Sequence, residues 1–471
     1  MDSSTGIGVG AFQYTPEQRT GEINEFNPFQ KPTYFKRDFK PDKVIVRPTS
    51  TSAGKHGQPY EFKLEADPYR WTNLQNIRIV GQMRVVKVNL ADGKTSKPGA
   101  DEDFGLVNNF KQSIWSKIIV KINGCEIADP TSDPYAYKAL VECLINYTTE
   151  YKENVLFLQN GYAEEEAGEG LRGNSCKRTK KNETGNEDVD NDDYNSALDK
   201  RRKIIADGEW EEINILMHSD IITCDKPLPP GYTLEFKMTR MNDSFVFLQP
   251  TTNENNYKIE LQDIHLVIER IQKPDNVLQA YNLKKNSSFA FLSLARNYLK
   301  TYPAIQGQTD LCQYNLISGQ QLPEFMLVFI VSQDAYNGKT SRNPFYFHTH
   351  YVEQCSLLTN SVLEPNIPYT NLSDKFQRQT LYNDFLSNIG ASQRDSLCCS
   401  VTYNKFYGGY HMFAFDRTET NRAHNYIMDG GQMGINLRLS HPLEENCQVL
   451  VYCTYSAEIK MKGAQVITTV F

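Results

Sequence analysis

The sequence predicts an all-β protein, two tandem jelly-roll β-sandwiches (a double jelly roll) with a few short helices and one long charged loop insertion. Three observations carry this. Short runs in which apolar and polar residues alternate recur along the chain, separated by turn residues. Aromatic residues are abundant, with 27 Tyr, 24 Phe and 3 Trp among 471 residues, the bias of a chain dominated by strands. The chain also reads as two halves on one plan: strands, one marked helix, a polar connection, then closing strands. No residue-by-residue repeat relates the halves. Jelly rolls are a common sandwich of about this size.

Residues 1–55, rich in Gly, Ser, Thr and Pro, read as a flexible N-terminal arm. The first jelly roll is expected over 56–275. Tyr60, Phe62 and Leu64 alternate with Glu61, Lys63 and Glu65, and Ile118, Val120 and Ile122 repeat the pattern before the turn dipeptide Asn123-Gly124. Asp133 as N-cap and Pro134 at the first helical position open a helix. Its stripe of Ala136, Ala139, Leu140, Cys143, Leu144 and Tyr147 faces a sheet, and Lys138 falls on the opposite, solvent side. Residues 163–203 are highly charged and nearly free of apolar side chains, so a long solvated loop is expected there. Strands resume at Trp210–Met217, around Tyr232, Leu234, Phe236 and Met238, and from Tyr257 to Ile268.

A boundary near 273–288 opens the second jelly roll, 276–471. Strands are expected at Phe289–Leu294, Phe325–Val331, Phe345–Val352, Val401–Phe406, His411–Phe415, Ile435–Leu439, Val449–Tyr455 and Ala464–Val470. Its helix runs from Ser373 as cap through Leu381, Tyr382, Phe385, Leu386 and Ile389 to Gly390 as terminator.

Composition narrows the function. Lys+Arg is 50 against Asp+Glu 57, a formal charge of −7, which argues against a protein that coats nucleic acid with its whole surface. Hydrophobics at 39% and charged residues at 23% fit a folded soluble chain. No apolar run approaches the roughly 18 residues of a membrane span. The first residues lack the basic and apolar regions of a secretory signal, and Asp2 excludes N-myristoylation. The ten cysteines then read as reduced thiols in a protein made and assembled inside a cell.

Motifs for chemistry fail on spacing. Gly93-Lys94-Thr95 and Gly338-Lys339-Thr340 resemble the tail of a phosphate loop, but Val88 and Gln333 stand where its first glycine belongs, so both read as surface turns. His348 and His350 would share one strand face as a metal pair might, yet nothing nearby completes a site. Asp188, Asp190 and Asp192 follow Ca²⁺-loop spacing, but Asp193 replaces the glycine and Asp199 the final glutamate. Cys398-Cys399 are adjacent and point to opposite sides of a strand. The Glu164–Glu166 run has no pocket to shift its pKa values. The basic runs Lys177–Lys181 and Lys200–Lys203 lie between acidic ones. No catalytic, cofactor-binding or metal residue is assigned, and no cofactor is expected.

Several segments, in their order and spacing, resemble a known family. They are FGLVNNFKQSIWSKIIVKINGCEIADPTSDPYAYKALVECLINY (Phe104–Tyr147), LPPGYTLEFKMTRMNDSFVFL (Leu228–Leu248) and Tyr257–Asn282 in the first half. In the second they are Asp334–Gln354, GYHMFAFDRT (Gly409–Thr418) and GGQMGINLRLSHPL (Gly430–Leu443). Over residues 55–471 the chain resembles the double-jelly-roll major capsid proteins of the Polinton/Maverick and adintovirus type, relatives of the adenovirus hexon. It is also similar to capsid-derived reading frames in invertebrate genomes.

The resemblance implies a structural protein and not an enzyme: a homotrimer forming pseudo-hexagonal capsomers that tile the icosahedral shell of a double-stranded DNA virus or virus-like element. The implied partners are further copies of itself, neighbouring capsomers, and penton and minor capsid proteins. No specific nucleic acid and no direct membrane insertion are implied. The implied location is the virion, and the implied place of the 163–203 loop is the outer top of the capsomer. Two other classes compete. A viral spike or other receptor- or carbohydrate-binding β-sandwich would present exposed aromatic platforms. A cupin-like oxygenase would need two His and a carboxylate, for which His348 and His350 are the candidate pair.

Overall fold

The alternation of apolar and polar residues obliges each strand to bury one face, and two such faces closing on each other make a sandwich. In a computed structural model the described residues are 40–50, 58–89, 93–98, 104–127, 135–164, 180–181, 187–188, 196–205, 207–249, 256–319, 321–370, 375–391, 399–418 and 428–470. The first half contributes β1 (Lys40–Val46), β2 (Tyr60–Leu64), β3 (Arg70–Val88), β4 (Trp115–Ile122), β5 (Cys125–Glu126), β6 (Glu211–Leu216), β7 (Leu234–Arg240) and β8 (Asn256–Gln272). These build two sheets, ordered β1-β8-β3-β6 and β2-β7-β4-β5.

The second half contributes β9 (Ala290–Ala304), β10 (Asp310–Gly319), β11 (Phe325–Ser332), β12 (Val352–Thr359), β13 (Val362–Thr370), β14 (Phe413–Asp416), β15 (Gly431–Leu439), β16 (Cys447–Lys462) and β17 (Gln465–Val470). Its sheets run β9-β16-β11-β14, with β17 added on β16, and β10-β15-β12-β13. Counted within each half, and setting aside the two-residue strands Thr95–Ser96, Gly105–Leu106, Lys180–Lys181, Glu187–Asp188 and Phe247–Leu248, the order is the same: first, eighth, third, sixth on one sheet and second, seventh, fourth, fifth on the other. That interleaving is the jelly-roll wiring, and it occurs twice.

The helices repeat as well. Between the fifth and sixth strands, the first half inserts α1 (Tyr135–Asn146) and α2 (Ser196–Ile205), and the second inserts α4 (Lys375–Asn388) and α5 (Tyr403–Gly408). A linker helix, α3 (Asp275–Lys284), joins the halves. In α4 the stripe Leu381, Phe385 and Ile389 is buried as expected, and Gly390 takes φ 74° to end the helix.

Inward residues fill each core. Phe62, Val120, Leu234 and Phe236 of one sheet face Ile79, Val85, Ile215 and Leu266 of the other, all essentially inaccessible to water. On β15, Gly434 lies where β10 bulges between Gln313 and Ile317; a Cβ there would sit 2.5 Å from the Gln313 carbonyl oxygen. The outermost strand β13 carries Pro365 and Pro368, which withhold donors from its open edge.

Several expectations are corrected. Within the arm expected over 1–55, Lys40–Val46 is a strand paired with β8, because Val46 turns into the first core. The charged segment 163–203 is not wholly a solvated loop. Its end forms α2, where Ala197, Leu198 and Ile205 are buried and Arg201 is buried whole with them. Leu198 occupies the space a side chain at position 105 would need, 2.4 Å from an ideal Cβ, so Gly105 admits the helix. Val401–Phe406 is not a strand: Thr402 caps α5, its hydroxyl accepting from the Lys405 N–H. Phe345–Val352 is loop until β12 begins at Val352. The helix caps Asp133, Pro134 and Ser373 lie outside the described residues, as do residues 1–39 of the arm.

Candidate functional site at the seam between the two sandwiches

A strand buried on one face alternates, whereas a strand buried on both reads as a continuous apolar run. Phe325–Val331 of β11 is buried at every position, and so is Val449–Tyr455 of β16. One face of this sheet closes the second core. The other receives the first half, and α1 lies in that seam with its residues from Tyr135 to Val141 all buried.

The apolar part of the seam centres on Tyr137. Its ring packs edge-on to Phe345 at 5.5 Å and Phe245 at 5.9 Å, and stacks on Tyr336 at 6.0 Å. Its buried hydroxyl finds no hydrogen-bond partner among the described residues.

The polar part is built on Lys138 and Glu142 of the same helix. Lys138 is buried and ion-paired with Asp220, itself 2% exposed. Glu142 sits 2.8 Å from His218 Nδ1 through Oε2, and its Oε1 accepts from Asn297 of β9 and Tyr452 of β16, both at 3.4 Å. The His218 N–H donates to the Tyr135 hydroxyl at 2.9 Å, which donates to Gln112 Oε1 at 2.8 Å. Burial works against a charged His218, but Cys143 and Glu142 outweigh it and raise its pKa to about 10. Burial likewise opposes charge on Lys138 and Glu142. The Asp220 carboxylate, with Glu142, keeps Lys138 raised, and the cations Lys138 and His218 keep Glu142 lowered. Burial raises the Asp220 carboxyl above its ordinary value, with Lys138 opposing it, and the partners of Glu142 among the described residues come from both halves.

Around this centre the halves share a rim of hydrogen bonds. Asp225 and Thr223 of the first half take the edge of β9: the Ser293 N–H donates to Asp225 Oδ1 at 2.9 Å and the Ala295 N–H to Thr223 Oγ1 at 2.9 Å. The open edge of the second sandwich is thereby covered by the first. Lys405 of α5 binds Glu164, Tyr162 meets the Ser400 hydroxyl at 3.2 Å, and the Gln249 N–H donates to the Thr340 carbonyl at 2.8 Å. Pro41–Phe471 accordingly form one compact unit.

The motifs tested for chemistry are placed elsewhere. His348 and His350 are on a loop, not a strand. Their rings meet edge-on at 4.5 Å, His348 Nδ1 accepts the His350 N–H at 2.8 Å, and His350 Nε2 is 3.5 Å from Cys447 Sγ. They line a cleft of about 310 Å³ with Arg342, Tyr346 and Glu445. Among the described residues no group of three or more His, Cys, Asp or Glu is placed to hold a metal. Gly93 and Gly338 are positive-φ turn residues. Glu164 is engaged by Lys405, while Glu165, Glu166, Asp190, Asp192 and Cys398 fall outside the described residues. Of the basic runs, Arg201 and Arg202 are buried on α2, with Arg201 Nε donating to the Leu106 carbonyl at 2.8 Å. The seam residues Lys138, Glu142, His218 and Asp220 carried no local motif. The one available signal was charge interrupting the apolar helix Tyr135–Asn146.

No family model matches the sequence. An uncharacterized protein of Caenorhabditis elegans is 22% identical over 409 residues, spanning 85% of this chain and 89% of that protein. Among solved structures, a chain of the Sputnik virophage superposes with a TM-score of 0.60 at 10% identity, covering 100% of this chain and 94% of its own. The Faustovirus major capsid protein gives 0.57 at 8% identity, covering 94% of each chain. The mavirus major capsid protein gives 0.52 at 10% identity, covering 99% of this chain and 97% of that one. With the same strand order in both halves, these likenesses establish that the chain has the double-jelly-roll fold of virophage and giant-virus major capsid proteins.

Proposed function

We propose that this protein is a viral major capsid protein, a structural and non-enzymatic component of the virion of a double-stranded DNA virus or virus-like element. The observation that carries the reading is coverage: both sandwiches and the elements between them match capsid proteins across 94% or more of each chain. A shell wall needs a rigid subunit, and the dry, doubly anchored seam supplies one. In this reading the first jelly roll spans 56–275 and the second 276–471, their strands ending at Gln272 and resuming at Ala290. Three such subunits present six similar wedges, so a homotrimer closes into a pseudo-hexagonal capsomer that reuses one set of contacts. Neighbouring capsomers, penton and minor capsid proteins are the further partners. A sequence relative in a nematode is what an element of the Polinton/Maverick or adintovirus type would leave in an animal genome.

The test is assembly. Light scattering of the purified chain should give a trimer that resists dilution, since obligate interfaces are large, and electron microscopy should show hexagonal particles or shells. A stable monomer at micromolar concentration across several salt conditions would overturn the reading.

A further inference from the structure

Exposed apolar side chains gather where the two sandwiches are joined in sequence. The linker helix α3 buries none of its residues, and Leu283 near its end is 82% exposed. The turn that follows and the start of β9 present Phe289 and Phe291, 43% and 44% exposed, with ring centroids 6.3 Å apart. Across the sheet Phe291 pairs with Lys460, and Lys460 with Ile467 of β17, so the three side chains share one face. The Lys462 ammonium lies 5.4 Å from the centre of the Phe289 ring. The Gly463 N–H donates to the Lys285 carbonyl at 2.8 Å, holding the β16–β17 turn against the α3–β9 turn.

Lys285, Lys460 and Lys462 therefore lie beside Phe289, Phe291 and Ile467, and Leu283 and Lys284 end the helix that leads into this turn. Glu458 shares this face, 3.5 Å from Lys460, and Asp225 reaches the edge of β9 at Ser293. In a chain of net charge −7 this is a local reversal of sign. Lysines interleaved with aliphatic and aromatic side chains suit the headgroup layer of an anionic bilayer, where the stems and rings enter the acyl boundary and the ammonium groups meet phosphate.

Other occupants fit less well. A single-stranded nucleic acid gains from stacking and arginine, and takes nothing from Leu283 or Ile467. An isologous contact between copies would set lysine against lysine, and the heterologous contact of a trimer is an outcome that the oligomeric mass below distinguishes. The exposed apolar residues of β13, Val362, Leu363 and Ile367, offer Glu364, which Arg417 already binds at 2.8 Å. We propose that the α3–β9 turn and the β16–β17 hairpin form a docking surface for an anionic lipid bilayer. Attachment is peripheral: among the described residues no helix is long and apolar enough to cross a membrane.

Vesicle flotation of the full-length protein tests this. Vesicles of phosphatidylcholine alone are compared with vesicles in which phosphatidylserine replaces about a third of it, and the anionic set should carry at least about tenfold more protein. Lys284→Glu with Lys285→Glu should abolish that difference, and Phe289→Ser with Phe291→Ser should release the protein from both. The two variants change different chemistry, so a folding failure in one leaves the other informative, and thermal melts identify it. Equal flotation on both vesicles, or variants that float like the native protein, would overturn the proposal. A changed oligomeric mass or lost DNA retention in the variants, with vesicle binding intact, would reassign the surface to another copy or to nucleic acid and overturn it too.

Discussion

Removing the Lys138 charge is the sharpest test of the seam. On sequence grounds Lys138 faces water, where a substitution costs within about half a kcal/mol. In the structure it is 8% exposed and paired with Asp220, which is 2% exposed. Lys138→Ala leaves the Asp220 carboxylate buried without its partner, a defect of about 3–5 kcal/mol. For one cooperative unit of about 430 residues each kcal/mol moves the melting point by about 1 °C, so a fall of about 3–6 °C is expected. Lys138→Met with Asp220→Leu removes both charges and should recover most of the loss, since an apolar pair of similar volume is often neutral or better. Differential scanning calorimetry of Lys138→Met, Asp220→Leu, the double variant and the native chain closes the cycle, with Lys138→Ala measured beside them. A Lys138→Ala melting point within about 2 °C of native would show the pair to be solvated, and the account of a dry seam would fail.

Further outcomes follow from the same geometry. The folded pKa of His218 is raised from 6.5 to about 10, so its contribution is complete below pH 6.5 and is lost as pH rises through 10. The pKa of Glu142 is lowered from 4.5, so its contribution is present above that value and is lost only in stronger acid. Melting points should therefore decline from pH 7 toward 10, and His218→Gln should flatten that limb. Deleting Glu164–Arg202 removes Leu198 and Arg201 and should unfold the first sandwich, whereas a deletion ending at Asn195 should not; circular dichroism distinguishes them. Gly434→Ala forces a Cβ to 2.5 Å from the backbone oxygen of Gln313 and should cost about 3 kcal/mol or more in urea unfolding. Tyr137→Phe deletes a buried hydroxyl without a described partner and should be neutral or stabilising by about 1 kcal/mol in the same assay.

Much of the fold was legible before any coordinates. Tyr60–Leu64, Ile118–Ile122 and Leu234–Met238 alternate cleanly because one face of their sheet meets water and the other the core. The helix Tyr135–Asn146 was visible through its apolar stripe, and the shared plan of the halves announced two sandwiches. The long strand Arg70–Val88 was not. Its polar residues Asn73, Gln75 and Asn76 break the alternation where the strand bends past its neighbour β8. The charged segment hid α2 for a related reason. Composition averages over a window, while Leu198 and Ile205 need only one narrow slot beside Gly105 to be buried.

By itself the sequence determined the all-β class, the two halves, the apolar stripes of the marked helices and the absence of any complete catalytic motif, since period and spacing are properties of neighbouring residues. Only the tertiary structure decided which side of α1 is solvent, and the answer was neither. Lys138 and Asp220 are 82 residues apart, and Glu142 lies 310 residues from Tyr452. Burial on a second face depends on what another part of the chain brings to it. A local pattern records only the face that its own element must hide.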